Sequence, residues 1–283
     1  AFALTKRVFD ETPKDTSAAK PDITGGALLS FATALVVLAI VQGRKWGWLS
    51  TGTIISVSVG IILFASFAYR NKRHPEPILP KALVHIQSFR RASVALFVFT
   101  LGMYALMLSL VLFLTDAWEY SIGVTGLSTA MGALAVTIGA TFAGPLADRY
   151  GHRSVAGPGT FICAVGMFWW IIMLSEQANY WSGYLPGLLL SATGMGMTLG
   201  VLAAAGVSQV SPEYFSLAGG VTQTARQFGG ALGLAVMFAI TGEPSNASEA
   251  YDLYKWAFGF IMLSSLVACV LVSRVKTSKP TIG

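Results

Sequence analysis

The sequence predicts an all-α membrane protein with eight transmembrane helices, and three observations carry that reading. Apolar residues gather in runs of about 20, the length a helix rising ~1.5 Å per residue needs to cross a hydrocarbon core of about 30 Å. Charged residues are only 11% of the 283, against roughly 25% in an average soluble domain. The charges that remain sit between the runs, and Lys and Arg concentrate in every second interval.

In chain order the runs are Gly25 to Gly43, Ser50 to Tyr69, Ala92 to Leu114, Ile122 to Gly144, Ser154 to Leu174, Tyr184 to Val207, Leu217 to Ile240 and Trp256 to Ser273. Arg44, Lys45 and a Trp46-Gly47-Trp48 step separate the first two. Cys163 falls in the fifth and Cys269 in the eighth, so both read as small core residues and neither a disulfide framework nor a metal site is expected. The sixth carries Pro186, Gly194, Gly196 and Gly200, which are tolerated where helices pack closely through small residues. The seventh has the weakest hydropathy, because Thr222, Gln223, Thr224, Arg226 and Gln227 occupy its first half; the parity of the crossings supports it as well as the pattern. Ahead of the first run, Ala1 to Asp22 mixes Lys6, Arg7, Asp10, Glu11, Pro13, Lys14 and Asp15 and shows no signal-peptide pattern. Ala1 in place of an initiator permits a chain that begins further upstream.

Orientation follows from the basic residues. With the N-terminus in the cytoplasm, sixteen of the 19 Lys and Arg fall inside, in residues 1–24, 70–91, 149–153 and 274–283 and at Arg226, while only Arg44, Lys45 and Lys255 fall outside. The positive-inside bias therefore puts both ends of this chain in the cytoplasm. Trp46, Trp48, Trp118, Tyr120, Tyr180, Trp181 and Tyr184 then cluster at the outer interface, where amphipathic rings prefer to lie. A formal charge of +6 arranged as short clusters between apolar runs fits a membrane surface; nucleic acid is not an expected partner. His74, His85 and His152 lie in loops without ligand spacing, so no metal or other cofactor is expected.

The interval between the fourth and fifth runs has a specific pattern: Gly144, Pro145, Leu146, Ala147, Asp148, Arg149, Tyr150, Gly151, His152, Arg153. Gly144 permits close helix contact and Gly151 a tight turn, while an acid flanked by basic residues suits helix ends of opposite dipole sign. The segment reads either as a conformational latch or as an ordinary basic turn. It resembles the Gly-x-Leu-Ala-Asp-Arg-x-Gly-Arg-Arg/Lys loop of the major facilitator superfamily, which follows the second helix of each six-helix half. His152 stands where that family usually has a basic residue.

A second segment, Thr222 to Gly233 with Arg226, Gln227, Gly229, Gly230 and Gly233, is similar to the Arg-Gln-x-Gly-Gly-x-Leu-Gly stretch of fourteen-helix drug/proton antiporters. The opening Pro21-Asp22-Ile23-Thr24-Gly25, followed by an apolar helix and Trp46-Gly47-Trp48, resembles the inserted central helix pair of the same branch. These resemblances imply a layout of a cytoplasmic segment (1–24), an inserted pair (25–70), a basic cytoplasmic linker (71–91), the six-helix C-terminal half of a major facilitator fold (92–273) and a cytoplasmic tail (274–283). They also imply a missing N-terminal six-helix half as partner and a bacterial inner membrane as location.

By the same resemblance the expected function is proton-coupled export of small amphipathic or drug-like compounds by alternating access. None of the 13 acids lies in the middle of a run, so protons enter only through the resemblance, and the coupling carboxylate is expected in the missing half. Thr100, Tyr104 and Met107 share one helical face, and Met195 and Met197 supply further flexible thioethers; all five are candidates for lining a substrate cavity, with packing as the competing reading. Gln223 and Gln227, one turn apart, either line that cavity or bond between helices. No catalytic constellation appears inside the runs, so an enzyme is not expected. The alternative function is a non-transporting receptor or assembly protein that keeps a half-transporter fold.

Overall fold

The computed structural model describes residues 22–75 and 77–275. Readings that fall on residues 1–21 and 276–283, including the charges at Lys6, Arg7, Lys14, Lys20, Lys276 and Lys279, lie outside the described residues. Within them the chain is helical, with no strand: α1 (Ile23–Trp46), α2 (Thr51–Arg73), a short α3 (Lys81–His85), α4 (Gln87–Asp116), α5 (Ile122–Tyr150), α6 (His152–Met173), α7 (Leu185–Val207) entered through a π-helical turn at Tyr180–Tyr184, α8 (Phe215–Thr241) and α9 (Ala247–Ser273). Side-chain caps fix several starts. Asp22 accepts the Gly25 N–H, and Ser50, Ser121 and Asn246 accept those of Thr53, Val124 and Glu249, each supplying an acceptor to an otherwise orphaned donor.

Seven helices among the described residues are long and apolar enough to cross a membrane: α1, α2, α4, α5, α6, α7 with its π turn, and α9. The chain is an integral membrane protein. α8 has 27 residues, about 40 Å at the usual rise, but its Thr, Gln and Arg residues lower its hydropathy. It runs beside α4 from the basic end of the bundle to the opposite end. That course is set by glycines: a Cβ at Gly229 would press on the Phe97 carbonyl and the Thr100 hydroxyl, and one at Gly233 would run into the Leu101 carbonyl. Backbones approach this closely only where the side chain is absent.

α4, α6, α7 and α9 form the buried centre, with α5 against α7, α8 against α4, and the α1–α2 pair attached through α1 to α8. Near the end opposite the basic one, Phe113 packs on Trp118, Tyr184, Tyr254 and Phe258 at centroid distances of 5.3 to 6.4 Å, and the Trp170 indole donates to the Tyr184 carbonyl at 2.8 Å. The expected interfacial belt is thereby corrected. Tyr184 is fully buried and Trp118 nearly so, whereas Trp46, Trp48 and Trp181 are exposed. The first two rings have other rings to pack on and so belong to the core.

Several boundaries move. α9 starts at Ala247 rather than Trp256, because the Asn246 cap and the Glu249 carboxylate, which accepts the Ser245 N–H at 2.8 Å, hold a polar first turn that hydropathy does not register. α4 starts at Gln87, five residues early. α5 continues through Pro145 to Tyr150, so most of the supposed loop is helix and the turn is Gly151, at φ +88°. The linker proper is 74–86, where the Asn71 side chain clamps both backbone groups of Leu79 at 2.8 and 3.0 Å.

Candidate functional site

Helices α4, α5 and α7 enclose a cleft of about 290 Å³ lined by Met107, Val111, Thr129, Val136, Ser191 and Met195 among others. It is open because α5 presents Thr129, Gly132 and Val136, small or short residues one turn apart, across from Leu188 and Ser191. Its hydroxyls are engaged: Thr129 donates to the Thr125 carbonyl at 3.0 Å and Ser191 to that of Leu188 at 3.2 Å. No acid or base lines it, so the cleft offers apolar contact with two flexible thioethers rather than reactive chemistry.

The structure separates the sequence candidates. Met107 and Met195 meet in the cleft. Met197, two residues on and so about 200° around the helix, turns to α6, where its Cβ lies 3.0 Å from the position a Cβ at Gly159 would take. Thr100 is wholly buried in the α4–α8 seam and donates to the Leu96 carbonyl at 2.9 Å. Tyr104 reaches Gln227 instead, its hydroxyl donating to Oε1 at 3.0 Å, with its ring over Gly230. Gln223 is exposed on the same flank of α8 as Gln227. Sequence reasoning missed Thr129, Gly132 and Ser191, whose signal was the repeat of small residues on α5 and α7.

Arg226 is half-buried eleven residues into α8 and has no hydrogen bond or ion pair among the described residues; its Nε is buried without a partner. It therefore does not belong with the loop charges, and the basic asymmetry without it is fifteen to three. Its helix neighbours Gly229, Gly230 and Gly233 are the residues that seat α8 on α4.

Around the motif, Asp148 and His152 border a cleft of about 150 Å³ between α5 and α7. Asp148 is exposed and makes no hydrogen bond or ion pair among the described residues, so no latch closes within them. Arg149 lies over the Tyr150 ring at 5.3 Å, and Arg153 is exposed. The expectation for Gly144 is corrected: a Cβ there would meet nothing within 4 Å. Close contact in this part of the bundle is made by Gly139 against Thr193 and by Gly196 against Val136.

Two ion-paired ends tie the α1–α2 pair. At the basic end Asp22, its side chain 1% exposed, receives Arg70 Nε at 2.8 Å; burial alone would raise its carboxyl, but the Gly25 N–H and the Arg70 guanidinium outweigh that and hold it below the usual carboxylate range. At the other end Lys45 meets Glu243 at 2.7 Å and Arg44 donates to the Ile240 carbonyl at 3.1 Å.

The family model of the Major Facilitator Superfamily matches residues 92–282. Among curated proteins, the chain is 25% identical over 253 residues to the cephamycin export protein CmcT of Amycolatopsis lactamdurans, covering 89% of this chain and 52% of the relative. It is 28% identical over 250 residues to the tetracenomycin C resistance and export protein of Streptomyces glaucescens (83% and 43%). It is 25% identical over 219 residues to the multidrug resistance protein Stp of Mycobacterium tuberculosis (77% and 40%). The chain thus spans about half or less of the length of these relatives. With the match extending over the six-helix bundle and more than half of the chain, the protein belongs to the Major Facilitator Superfamily.

Proposed function

We propose that this chain is the C-terminal part of an exporter that moves small amphipathic or drug-like compounds across a bacterial inner membrane. The observation that carries the reading is the family match over the whole six-helix bundle, in company with relatives named for export and drug resistance. α8 is also a crossing, the seventh in chain order, which brings the total to eight; the α1–α2 pair is the insertion of a fourteen-helix branch, and the basic end and both termini of this chain face the cytoplasm. An upstream six-helix half completes the cavity. The Met107–Met195 cleft takes apolar parts of the substrate, and Tyr104, Gln223 and Gln227 give it polar contacts. Coupling protons bind a carboxylate of the upstream half, and alternating access rocks the two halves about the substrate. Asp148, free of partners within the described residues, docks on the cytoplasmic face of the upstream half and favours one state; a partly buried contact of this kind is worth up to about 2 kcal/mol.

The test is efflux of an amphipathic fluorescent dye from drug-sensitised bacteria expressing the complete reading frame. Efflux above the empty-vector rate that collapses with the proton gradient is expected, and Asp148→Asn slows it while leaving expression unchanged. Efflux no faster than vector, across a panel of dyes, favours the non-transporting alternative.

A further inference from the structure

Arg226 is the twelfth of the 27 residues of α8, about 17 Å along the helix at the usual rise. At that depth the side chain is half-buried, and its Nε is buried without a partner. No acid of the surrounding helices answers it. Among them α4, α5, α7 and α8 hold only Asp116, the last residue of α4, and Asp148, near the end of α5. A charge placed inside a crossing, with no counter-charge in its own bundle, belongs against a wet cavity or a ligand rather than hydrocarbon.

The surface beside Arg226 is open and rich in donors. Side chains on a helix lean over the turn on their N-terminal side, which for Arg226 is the turn of Thr222 and Gln223, with Gly219 beyond it. Gly219 lies within about 20° of Arg226 around the helix, Gln223 about 60° and Gln227 about 100° away, and all three are exposed. A Cβ at Gly219 or Gly220 would meet nothing within 4 Å, so the approach is clear. The Tyr104 hydroxyl occupies the Gln227 Oε1 at 3.0 Å, which leaves the Gln227 amide NH2 without a partner among the described residues, and Gln223 has none there either. Two exposed amides and a guanidinium on one flank are costly against lipid tails and well placed against water.

We propose that Arg226 is the cation that recognises substrate in this half, and that the compounds it selects carry a carboxylate. A guanidinium holds a carboxylate through two parallel charge-assisted hydrogen bonds. The carboxylate approaches over Gly219, where the missing side chain leaves room, and the amides of Gln223 and Gln227 donate to it. The apolar body of the compound lies toward Met107, one turn beyond Tyr104 on α4. With no acid along these crossings, this half attracts an anion and offers a cationic compound nothing to pair with. The assignment rests on the reading of the Tyr104, Gln223 and Gln227 flank as cavity wall and adds to it the charge of the substrate.

The test is equilibrium binding, to the complete reading frame purified in detergent, of two fluorescent probes that differ only in charge: dansyl-phenylalanine, with a free carboxylate, and neutral dansyl-phenylalaninamide. The parent is expected to bind the acid about tenfold more tightly than the amide, the effect of one charge-assisted pair in a half-buried site. Arg226→Gln removes the preference by weakening the acid alone, and Arg226→Lys keeps part of it. Gln223→Glu, which sets a carboxylate one turn from the guanidinium at an exposed position, reverses the preference with Arg226 intact. A parent that binds both probes equally overturns the proposal, as does a preference unchanged in Arg226→Gln or in Gln223→Glu. Equal loss of both probes in an Arg226→Gln protein of unchanged helix content overturns it in favour of pairing with an acid of the upstream half. Binding is read without a gradient and so separately from efflux: efflux with no preference for the acid sinks the charge assignment alone, and an Arg226-dependent preference without efflux upholds it while the export reading falls.

Discussion

Two glycines that look alike in the sequence should respond in opposite senses to the same substitution. A Cβ at Gly233 would overlap the Leu101 carbonyl oxygen and lie 2.7 Å from its carbon. An unstrained carbon–carbon contact needs about 3.5 Å, so α4 and α8 must separate by roughly 1 Å along the seam that also seats Gly229. Overpacking of this kind costs about 1–3 kcal/mol, and the clash is with backbone, which puts it at the upper end of that range; less the ~1 kcal/mol that Ala gains over Gly in a helix, Gly233→Ala is expected to destabilise by about 2 kcal/mol. Gly144→Ala meets open space in α5 and keeps only the propensity gain, up to ~1 kcal/mol stabilising. Reversible unfolding of this chain in mixed micelles, titrated with SDS and followed by far-UV circular dichroism, measures both. A parent-like Gly233→Ala, or shifts of the same sign in both variants, would refute the argument from helix approach.

Further outcomes follow from the ion pairs and polar contacts. A double-mutant cycle of Tyr104→Phe with Gln227→Leu should return a coupling of about 0.6 kcal/mol, the usual size of an interhelical hydrogen bond in a membrane; zero coupling would mean the 3.0 Å contact carries no stability. Asp22→Asn keeps the α1 cap but removes the charge facing Arg70, so it should lower the unfolding midpoint at neutral pH. Because the Asp22 carboxyl is held below its ordinary value of 3.8, its contribution is fully present above that value and lost as pH falls through the lower folded value, so the gap between parent and variant should close only in strong acid. With the basic end in the cytoplasm, a cysteine at Gln177 should react with an impermeant maleimide added outside intact cells and one at Ser154 should not; the reverse pattern inverts the topology.

The apolar runs made the helices legible, since a hydrocarbon-spanning segment must satisfy its own backbone and only a helix does so with local bonds. Their ends were less so wherever a cap or a motif overrode hydropathy: Asn246 and Glu249 start α9 among polar residues, and Pro145 sits inside α5. Of the candidate site, Met107 and Met195 could be placed by helical period, yet period alone did not separate Met197 from them until the α6 contact at Gly159 was known. Thr100 and Tyr104 share a face in the sequence, but the depth of the α8 glycines decides that one is buried in the seam and the other reaches Gln227.

The attachment of α1 and α2 has a mechanical consequence. Lys45 and Arg44 hold the pair to Glu243 and the end of α8, while Asn71 clamps the linker that leads into α4. Held at both of its ends, the pair is an outrigger: any tilt of the six-helix bundle carries it along as part of the same lever. A fluorophore on the exposed side of α2, for instance at Ile62, 61% exposed, would therefore report the inclination of the entire bundle without touching the cleft between α4, α5 and α7.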